Sequence, residues 1–521
     1  MDNHHAFMFD WYFNFEVEMK NIQNKKVLIL GLGVSGLAMA RWCSRYGAEI
    51  TVVDTRAVPP QYNALKKNLP NVKFIYSDFG PNLILKNSYD LVLISPGIKP
   101  KDVEAISLAS KNNNIEISNE LILFSNALTS LKESQSYNPC ILAITGTNGK
   151  TTVTSLTGKL VECTGKKVVV AGNIGPSLLD TLIKKFDLNE LPEVWVLELS
   201  SFQLHEAQAF EPTAGVVLNL SQDHLDWHGS MKEYARAKSL IFGKKGVMVL
   251  NRDDSAVMEM LLQTDGSRNP RKVITFGADM PKRVGDFGLE LINGMAWLVK
   301  AVGIEETVSK RRNLSTNIKE EIYIQRFMPA DALKIYGRHN MLNALVALSL
   351  SELANCTMAP VLYALREYRG EPHRVESIGV IRGVEYFDDS KGTNVGATVA
   401  ALCGLGVDRK VVIILGGESK GQDFSPLLKP VNQYARSVIL IGKDKLTILD
   451  TLRDSTIPIV IADTMLEAVS TASERACNGD AVLLSPACAS FDMFDNYEHR
   501  GRVFCAVVKQ IANKLDEGTM L

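Results

Sequence analysis

One short segment of the sequence carries residues suited to binding the phosphates of a nucleotide. It reads Ala143-Ile-Thr-Gly-Thr-Asn-Gly-Lys-Thr-Thr-Val153 and follows an apolar run, Ile141 to Ile144, that predicts a short buried strand. A helix is predicted from Thr152 onward, so the glycines lie in a strand-to-helix turn, where backbone N–H groups and a helix N-terminus favour an anion. We predict that Lys150 contacts the phosphates and that the Thr151 hydroxyl lies where Mg²⁺ would sit.

The spacing of this turn differs from that of the common phosphate-binding loop. Ile144 stands five residues before Gly149, where the pattern G-x-x-x-x-G-K-[ST] has glycine, and the nearest glycine is Gly146. A turn that merely caps the helix is the alternative. It explains poorly why a lysine precedes two threonines at a helix start, since the first turn of a helix favours acidic residues.

Two further predicted strands of this region lead to residues that bind cations. The strand Val194 to Leu197 ends at Glu198, and the strand Gly215 to Leu218 leads to His224. Because the carboxyl ends of parallel strands share one edge of a sheet, we expect both side chains near Lys150. A carboxylate and an imidazole beside phosphates suit Mg²⁺. Helix capping by Glu198 and packing by His224 are the structural alternatives.

The N-terminal part shows the βαβ pattern of a dinucleotide-binding fold. A strand, Lys26 to Leu30, is followed by the turn Gly31-Leu-Gly-Val-Ser-Gly36, a helix, and a second strand that ends at Asp54. Taken alone, this pattern predicts a NAD-dependent oxidoreductase with Asp54 on the ribose. Thr55 and Arg56 instead suit a second phosphate or the edge of uracil, so we expect a nucleotide other than NAD. A turn that only packs helix against strand is the third possibility.

Four predicted strands in the C-terminal third end in polar residues or glycine. Lys391, Lys420 and the amides near Ser490 follow three of these strands. They predict a site for a small dicarboxylate, because cations and helix N-termini bind carboxylates, although ordinary loop capping is the alternative. In the preceding segment, Asn340 and Asn343 lie one helical turn apart, where they frame a purine edge or a phosphate, or else cap the helix.

The composition is that of an ordinary globular protein. A chain of 521 residues is too long for a single hydrophobic core, and its length predicts three or four domains. Lys plus Arg number 57 and Asp plus Glu 58, so no overall charge favours nucleic acid or an acidic membrane. No apolar run reaches roughly 18 residues, so we expect no transmembrane helix. Eight scattered cysteines without a C-x-x-C pair favour a reducing compartment.

The order of the motifs resembles that of the Mur ligase family, and most closely its D-glutamate-adding members. The resemblance runs from about residue 27 to the C-terminus. The motifs that carry it are T-G-T-N-G-K-T-T, G-N-I-G, E-L-S-S-F-Q-L, D-H-L-D, Y-A-R-A-K, G-R-H-N-M-L-N-A, E-P-H-R, D-D-S-K-G-T-N and S-P-A-C-A-S-F-D, with G-L-G-V-S-G, D-T-R and S-P-G near the N-terminus. Each motif alone is weakly specific, but the ordered set is strongly specific.

The resemblance implies an α/β protein of three domains. These are a Rossmann-like N-terminal domain for a UDP-sugar (1–128, with 1–18 as an extension of unassigned role), a central P-loop ATPase-like α/β domain (129–371), and a C-terminal Rossmann-like α/β domain for the amino acid and adenosine (372–521). The implied enzyme is an ATP-dependent, ADP-forming ligase that joins D-glutamate to UDP-N-acetylmuramoyl-L-alanine through an acyl phosphate. It would act in cytoplasmic peptidoglycan precursor synthesis, and so in cell shape and division. We expect a monomer with small-molecule partners only, neither nucleic acid nor membrane.

The resemblance also assigns residues to each ligand by position. For ATP these are Gly146, Thr147, Asn148, Gly149, Lys150, Thr151, Thr152, Asn340, Asn343, Arg374 and Asp389. For the UDP-sugar they are Val34, Ser35, Thr55, Arg56, Ser95, Gly97 and Asn173. For D-glutamate they are Thr393, Lys420, Ser490, Phe491 and Tyr497. The catalytic set is Lys150, Glu198, His224 and Lys238.

Two Mg²⁺ ions are implied, one on Thr151 and Glu198 and a second on His224. Lys238 matches a lysine that is carbamylated in the family, and as a carbamate it would reach toward the second ion. The sequence around Lys238 alone predicts only a solvated helix residue. Two positions depart from the family: Tyr497 stands where phenylalanine is common, and Gly392 replaces a common alanine.

Three competing functions remain at this point. The first is another Mur ligase or a folylpolyglutamate synthetase, which shares the T-G-T-N-G-K-T-T turn. The second is the NAD-dependent oxidoreductase predicted by the N-terminal glycines. The third is a nucleotide-regulated scaffold that binds ATP without turnover. Release of phosphate with each candidate amino acid separates the ligases from one another.

Overall fold

The computed structural model describes residues 22–263, 271–303 and 322–517. The predicted extension, residues 1–18, lies outside the described residues. The described chain forms three sheets with helices packed around them, which confirms the expected three-domain α/β fold. Within these ranges, none of the helices combines the length and the apolar character that spanning a bilayer requires.

The first sheet is parallel throughout and has the order β3-β2-β1-β4-β5. Its strands are β1 (Lys26–Leu30), β2 (Glu49–Asp54), β3 (Lys73–Tyr76), β4 (Leu91–Ile94) and β5 (Glu116–Ser118). The α-helices are Val34–Arg45, Tyr62–Asn68, Asn82–Leu85, Glu104–Asn112 and Glu120–Gln135, with a 3₁₀ turn at Pro100–Asp102. The chain order reverses beside β1, so the turn that follows β1 opens at the crevice where such sheets bind ligands.

The central sheet has nine strands in the order β14-β13-β12-β11-β10-β9-β6-β8-β7. They are β6 (Cys140–Thr145), β7 (Val168–Gly172), β8 (Val194–Glu198), β9 (Ala214–Val217), β10 (Val247–Asn251), β11 (Val273–Phe276), β12 (Phe287–Ile292), β13 (Met295–Gly303) and β14 (Ile322–Pro329). Strands β6 to β12 pair in parallel, whereas β12, β13 and β14 form an antiparallel meander at one edge. Because β6 lies between β8 and β9, the ends of these two strands flank the phosphate-binding turn.

Helices cover both faces of the central sheet. The α-helices are Lys150–Glu162, Leu178–Asp187, Ser201–Leu204, Leu225–His228, Met231–Ser239, Ser255–Met258, Arg338–Leu353 and Met358–Glu367. Short 3₁₀ turns are Leu240–Phe242, Glu259–Gln263 and Ala330–Ala332. Strand β6 is buried from Leu142 onward, and its aliphatic residues suit a parallel strand that is covered on both faces.

The third sheet has the order β15-β16-β20-β17-β18-β19, with only β15 antiparallel to its neighbour. Its strands are β15 (Glu376–Ile381), β16 (Val384–Asp388), β17 (Val411–Gly416), β18 (Ala435–Ile441), β19 (Ile459–Ile461) and β20 (Ala481–Leu484). The α-helices are Val395–Gly406, Leu428–Tyr434, Lys445–Thr451, Met465–Arg475 and Tyr497–Glu517, with a 3₁₀ turn at Ser425–Leu427.

The polar loop ends of the second and third sheets contact each other directly. The side chains of Asn148 and Asn394 exchange two hydrogen bonds, of 3.2 and 3.0 Å. Arg374 donates from Nη2 to the Thr151 hydroxyl at 2.7 Å. The turn after β6 is therefore covered by the third domain.

Candidate active site

The turn after β6 is shaped by its glycines and held by the neighbouring strand. Gly149 has φ +85, a conformation that favours glycine, and the helix begins directly after it at Lys150, two residues before the predicted Thr152. Asn219, which follows β9, accepts from the Asn148 N–H at 2.8 Å and donates to the Asn148 carbonyl at 3.1 Å. The backbone that would receive phosphates is thus fixed from outside the turn.

Lys150 folds back over this turn. Its Nζ donates to the carbonyl oxygens of Gly146, at 2.9 Å, and Thr147, at 2.8 Å. Burial lowers the pKa of Lys150, and nearby Glu198 acts in the opposite direction. Phosphate oxygens are stronger acceptors for an ammonium group than neutral carbonyls, so the side chain can exchange these bonds for bonds to a nucleotide.

Lys238 lies underneath the same turn. The side chain is 1% exposed, and its Nζ donates to the Gly146 carbonyl at 2.9 Å and to the Thr145 hydroxyl at 3.2 Å. The Nζ is 4.7 Å from the centre of the Tyr234 ring. Burial lowers the pKa of Lys238 well below its ordinary value, and the charge of Lys150 adds to this. The prediction of a solvated helix residue is therefore wrong, because the fold packs this face of the helix Met231–Ser239 under the turn.

Glu198 ends β8 beside the turn. It is 1% exposed; its Oε1 accepts from Asn173 Nδ2 at 2.9 Å, whereas its Oε2 is buried without a hydrogen-bond partner among the described residues. A buried carboxylate oxygen without a partner is costly and suits a cation. The Thr151 hydroxyl supplies a second oxygen of the kind that Mg²⁺ prefers. The donor chemistry therefore fits a magnesium ion.

His224 directly precedes the short helix Leu225–His228, where the charges of Lys150 and Lys238 act on its ring. It has φ +54, and its side chain is 45% exposed. The ring meets the Phe202 ring edge-on, with 4.8 Å between ring centres, and its Nε2 is 3.6 Å from an Asp223 carboxylate oxygen. The pKa of His224 is lowered, with desolvation as the largest cause and Asp223 acting in the opposite direction. A lowered pKa favours the neutral imidazole, which is the form that binds metals.

A cavity of about 330 Å³ opens between the second and third domains beside the turn. Asn340 and Asn343 lie in its wall, and Asn343 Nδ2 donates to Asn340 Oδ1 at 2.9 Å. Asp389 lies across from them, and the Ser485 hydroxyl donates to its Oδ2 at 2.6 Å. Burial raises the pKa of Asp389 to about 7. Residues assigned to ATP from two domains thus line one cavity.

The residues assigned to D-glutamate lie on the polar edge of the third sheet. Ser490 is buried, and Lys420 Nζ lies 5.8 Å from the centre of the Phe491 ring, which is 65% exposed. Lys391 Nζ lies over the Tyr497 ring at 5.1 Å. Burial lowers the pKa of Lys391 to about 8. The Thr393 carbonyl lies on the same edge, where it accepts from Gln422 Nε2 at 3.3 Å.

Six of the residues assigned to the UDP-sugar follow β1, β2 and β4, which are neighbours in the first sheet, and the seventh, Asn173, follows β7 in the central domain. Val34, Thr55, Arg56, Gly97 and Asn173 are exposed, Ser35 is half-buried and Ser95 is buried. Asp54 does not face this crevice as a free carboxylate. It accepts from the Leu32 N–H at 2.7 Å, and two guanidinium nitrogens of Arg56 each donate to it at 2.8 Å. The ribose contact that a NAD-binding role requires of Asp54 is therefore not supported.

Sequence reasoning missed some residues that shape the site. Arg500 is 1% exposed and donates to the carbonyls of Ser390, at 2.8 Å, and Cys488, at 3.1 Å. It thereby joins the loops after β16 and β20, which carry Asp389 and Ser490. Nothing in the local sequence indicates this role, since an arginine near a helix start is ordinarily solvated.

Comparison with known proteins places the whole described chain in one family. The Mur ligase MurD-like N-terminal domain matches residues 25–118, the Mur ligase middle domain matches 144–351, and the Mur ligase glutamate ligase domain matches 373–488. A protein of Albidiferax ferrireducens named UDP-N-acetylmuramoylalanine--D-glutamate ligase is 56% identical over 499 residues, covering 95% of this chain and 98% of that protein. A Polaromonas protein of the same name is 48% identical, covering 96% and 100%.

Solved structures show the same fold at lower identity. UDP-N-acetylmuramate-alanine ligase from Thermotoga maritima is 20% identical, with a TM-score of 0.52 and coverage of 94% of this chain and 100% of that chain. The MurF ligase of the same organism, solved with ADP, is 14% identical, with a TM-score of 0.56 and coverage of 95% and 97%. These structures support the three-domain arrangement.

Proposed function

The chain belongs to the Mur ligase family, and we propose from this premise that it joins D-glutamate to UDP-N-acetylmuramoyl-L-alanine while ATP is converted to ADP and phosphate. Relatives that are 48% and 56% identical over nearly their whole lengths carry the name of this activity. The observation that carries the proposal is the bond from Arg374 to Thr151, because it brings the third domain onto the phosphate-binding turn. The product belongs to peptidoglycan precursor synthesis.

The reaction has two chemical steps. The carboxylate of the alanine attacks the γ-phosphorus of ATP, so that an acyl phosphate forms and ADP leaves. The neutral amine of D-glutamate then attacks the acyl carbon, and the tetrahedral intermediate collapses to the amide with loss of phosphate. Both steps depend on positioning the reactants and on offsetting phosphate charge. The third domain, which covers the turn, would position the reactants, and Lys150 would offset the phosphate charge.

Thr151 and Glu198 would hold one Mg²⁺, and His224 a second. Bound there, Mg²⁺ offsets negative charge on the oxygens of the transferring phosphoryl group. Support comes from the unpartnered Oε2 of Glu198 and from the lowered pKa of His224. Asn173 orients Glu198 through the 2.9 Å bond to its other oxygen.

Lys238 would act as a carbamate. Carbamylation joins a neutral amine to CO₂ and releases one proton, which leaves an anion at the end of the side chain. Burial supports this modification, since it favours the neutral amine of Lys238. As a carbamate, Lys238 would supply an anionic oxygen for the second ion.

The other assignments follow the three domains, for which we propose the extents 1–128, 129–371 and 372–521. Asn340, Asn343, Arg374 and Asp389 would bind the nucleoside and phosphates of ATP. The UDP part would be bound by Val34, Ser35, Thr55, Arg56, Ser95 and Gly97, and the pyrophosphate or sugar region by Asn173. Thr393, Lys420, Ser490, Phe491 and Tyr497 would form the pocket for D-glutamate. Since ATP and the UDP-sugar are cytoplasmic metabolites, we infer a cytoplasmic site of action.

Phosphate release tests the proposed function. The purified protein is given ATP, Mg²⁺, UDP-N-acetylmuramoyl-L-alanine and one of D-glutamate, L-lysine, meso-diaminopimelate or L-alanine. We expect release of phosphate with D-glutamate only, and none when the UDP-linked substrate is omitted. Turnover with another amino acid instead of D-glutamate would assign the chain to a different ligase. Binding of NAD(H) in place of the UDP-linked ligand would remove it from the ligases.

A further inference from the structure

Glu120 is a buried acid that none of the sequence motifs includes. It begins the helix Glu120–Gln135 and is 3% exposed. Its carboxylate accepts from the backbone N–H groups of Leu178 and Leu179, the latter at 3.3 Å to Oε1. It also accepts from the side-chain hydroxyl of Ser35. One carboxylate therefore joins the glycine-rich turn of the first domain to a helix of the central domain.

The groups that Glu120 contacts lie in the first turns of two helices. Leu178 and Leu179 open the helix Leu178–Asp187, whose N-cap Ser177 makes no capping bond with its own side chain in this part of the described chain. Glu120 supplies the missing acceptor and so acts as a cap from a distant segment. Ser35 lies in the first turn of the helix Val34–Arg45 and meets Glu120 through its side-chain hydroxyl.

The two helix starts carry the loops that face the proposed UDP-sugar site. Ser35 belongs to the turn after β1, and Asn173 lies five residues before Leu178 in the loop after β7. Asn173 in turn donates to Glu198 at 2.9 Å. A continuous path of backbone and hydrogen bonds thus runs from the first-domain turn through Glu120 to the carboxylate beside the phosphate-binding turn.

The surroundings of Glu120 give it few ways to replace these bonds. Burial raises the pKa of Glu120, and the neighbouring Asp180 adds to this. The pair Arg41 and Asp180, at 2.8 Å, joins the same two helices at a more exposed position. Between these two helices the ion pairs Arg41–Asp180 and Arg45–Asp187, at 2.8 and 2.6 Å, are more exposed than Glu120, so water can replace them more readily.

We propose that Glu120 is a positioning residue that fixes the distance between the Ser35 turn and the Asn173 loop, and with it the fit of the pyrophosphate and sugar of the UDP-linked substrate. The side chain does not itself touch the substrate. It acts through the Ser35 hydroxyl and through the start of the helix Leu178–Asp187. This inference rests on the proposed function, because the Ser35 turn receives the UDP part only in that function.

Steady-state kinetics of Glu120→Ala test this role. We expect the KM for UDP-N-acetylmuramoyl-L-alanine to rise about tenfold, the size expected for one lost buried hydrogen bond to a carboxylate, with a smaller change in kcat. The Kd for ATP should stay the same, which also shows that the central domain is folded. Glu120→Gln keeps an acceptor for the backbone N–H groups and should stay within about threefold of the unmodified protein. Arg41→Ala is the matched control on the same helix pair and should leave KM unchanged.

A double-mutant cycle with Ser35→Ala separates positioning from general weakening. If Glu120 acts through Ser35, the variant with both changes binds the UDP-linked substrate no more weakly than Glu120→Ala alone. Additive effects on KM, or a KM for Glu120→Ala that equals that of Arg41→Ala, would overturn the inference. If Glu120→Ala does not fold, Glu120→Asp takes its place in the same cycle, since its side chain is one methylene shorter. Additive effects on KM again overturn the inference, and non-additive effects support it. Failure of the unmodified protein to bind the UDP-linked substrate would instead refute the proposed function.

Discussion

The chain contains two glycine-rich strand-to-helix turns whose first glycine carbonyl is held in different ways. In the turn after β1, the Ser95 hydroxyl donates to the Gly31 carbonyl at 2.8 Å. In the turn after β6, the side-chain nitrogens of Lys150 and Lys238 both donate to the Gly146 carbonyl at 2.9 Å. The two turns share a backbone arrangement, but the first is held by a hydroxyl and the second by two buried lysines.

This difference matches what each turn is proposed to hold. A ligand whose charge stays the same during the reaction needs only fixed N–H donors, which the first turn offers at a helix start. A phosphoryl group that changes partners needs charge arranged in advance around it. Arg374 adds a guanidinium group to the second turn. The glycines therefore set the shape of each turn, whereas the residues packed around the turn set its chemistry.

Replacing Lys150 of the second turn should have the largest effect on turnover. In Lys150→Ala we expect kcat to fall by about a thousandfold, since the group that offsets phosphate charge in the transition state is lost. The KM for the UDP-linked substrate should stay nearly unchanged, because that ligand binds at the first turn. Phosphate release measures both values. A kcat close to that of the unmodified protein would show that the two turns do not differ in this respect.

The next effect concerns the groups underneath the turns. We expect Lys238→Ala to lower kcat by about a hundredfold, with partial recovery when a small carboxylate such as acetate or formate is added. The matched change under the first turn, Ser95→Ala, should raise the KM for the UDP-linked substrate only severalfold and should not respond to carboxylates. Intact mass under CO₂-retaining conditions follows the modification directly. Equal responses of the two variants to carboxylates would remove the carbamate from the proposal.

Alanine substitutions at two glycines of the first turn should have different effects, one on packing and the other on ligand binding. A Cβ on Gly36 would lie 2.0 Å from the Gly31 carbonyl oxygen, whereas a Cβ on Gly33 meets nothing within 4 Å. We expect Gly36→Ala to lower the free energy of unfolding by about 2 kcal/mol through overpacking. Gly33→Ala should fold normally but bind the UDP-linked substrate more weakly, because the added methyl faces the proposed ligand. Thermal unfolding and titration of the ligand distinguish the two outcomes.

The smallest expected effect is a pH dependence of stability that differs between two buried acids. Burial raises the folded pKa of Asp389 to about 7 from an ordinary value of 3.8, so its folded form binds more protons than its unfolded form between these values. The unmodified protein therefore loses stability from Asp389 as the pH rises through this window. Relative to it, Asp389→Asn should gain about 2–4 °C in Tm between pH 4 and 7 and nothing further above pH 7.

Asp54 provides the contrast to Asp389. Burial raises its pKa, but the bonds from Arg56 and the Leu32 N–H outweigh burial, so that the pKa is lowered from 3.8. Its stabilising contribution is present above the unfolded pKa and is lost only as the pH falls through the folded pKa. The Tm difference between Asp54→Asn and the unmodified protein should therefore be constant from pH 5 to 7. A slope for Asp54→Asn like that of Asp389→Asn would contradict the two opposite shifts.

Much of the fold follows from patterns within short windows of sequence. The central strands of each sheet are predictable because they are continuous aliphatic runs ended by glycine or polar residues. The edge strands β15 and β19 are not predicted from the sequence. β15 mixes polar and apolar residues without alternation, and β19 is an apolar run of only three residues, which is too short to identify a strand. The helix after Gly149 is predicted two residues late, since a cation is unfavourable in the first turn of a helix and threonine has a low helix propensity.

The local chemistry of the turns depends on residues that are adjacent in the chain. Glycine at position 149 and the order of lysine and threonine after it act through backbone angles and neighbouring N–H groups. The burial of Lys238, the bond from Arg374 to Thr151 across 223 residues and the link that Glu120 makes between two domains arise instead from the tertiary fold. Burial and long-range hydrogen bonds arise from segments far apart in the chain, so no local pattern contains them.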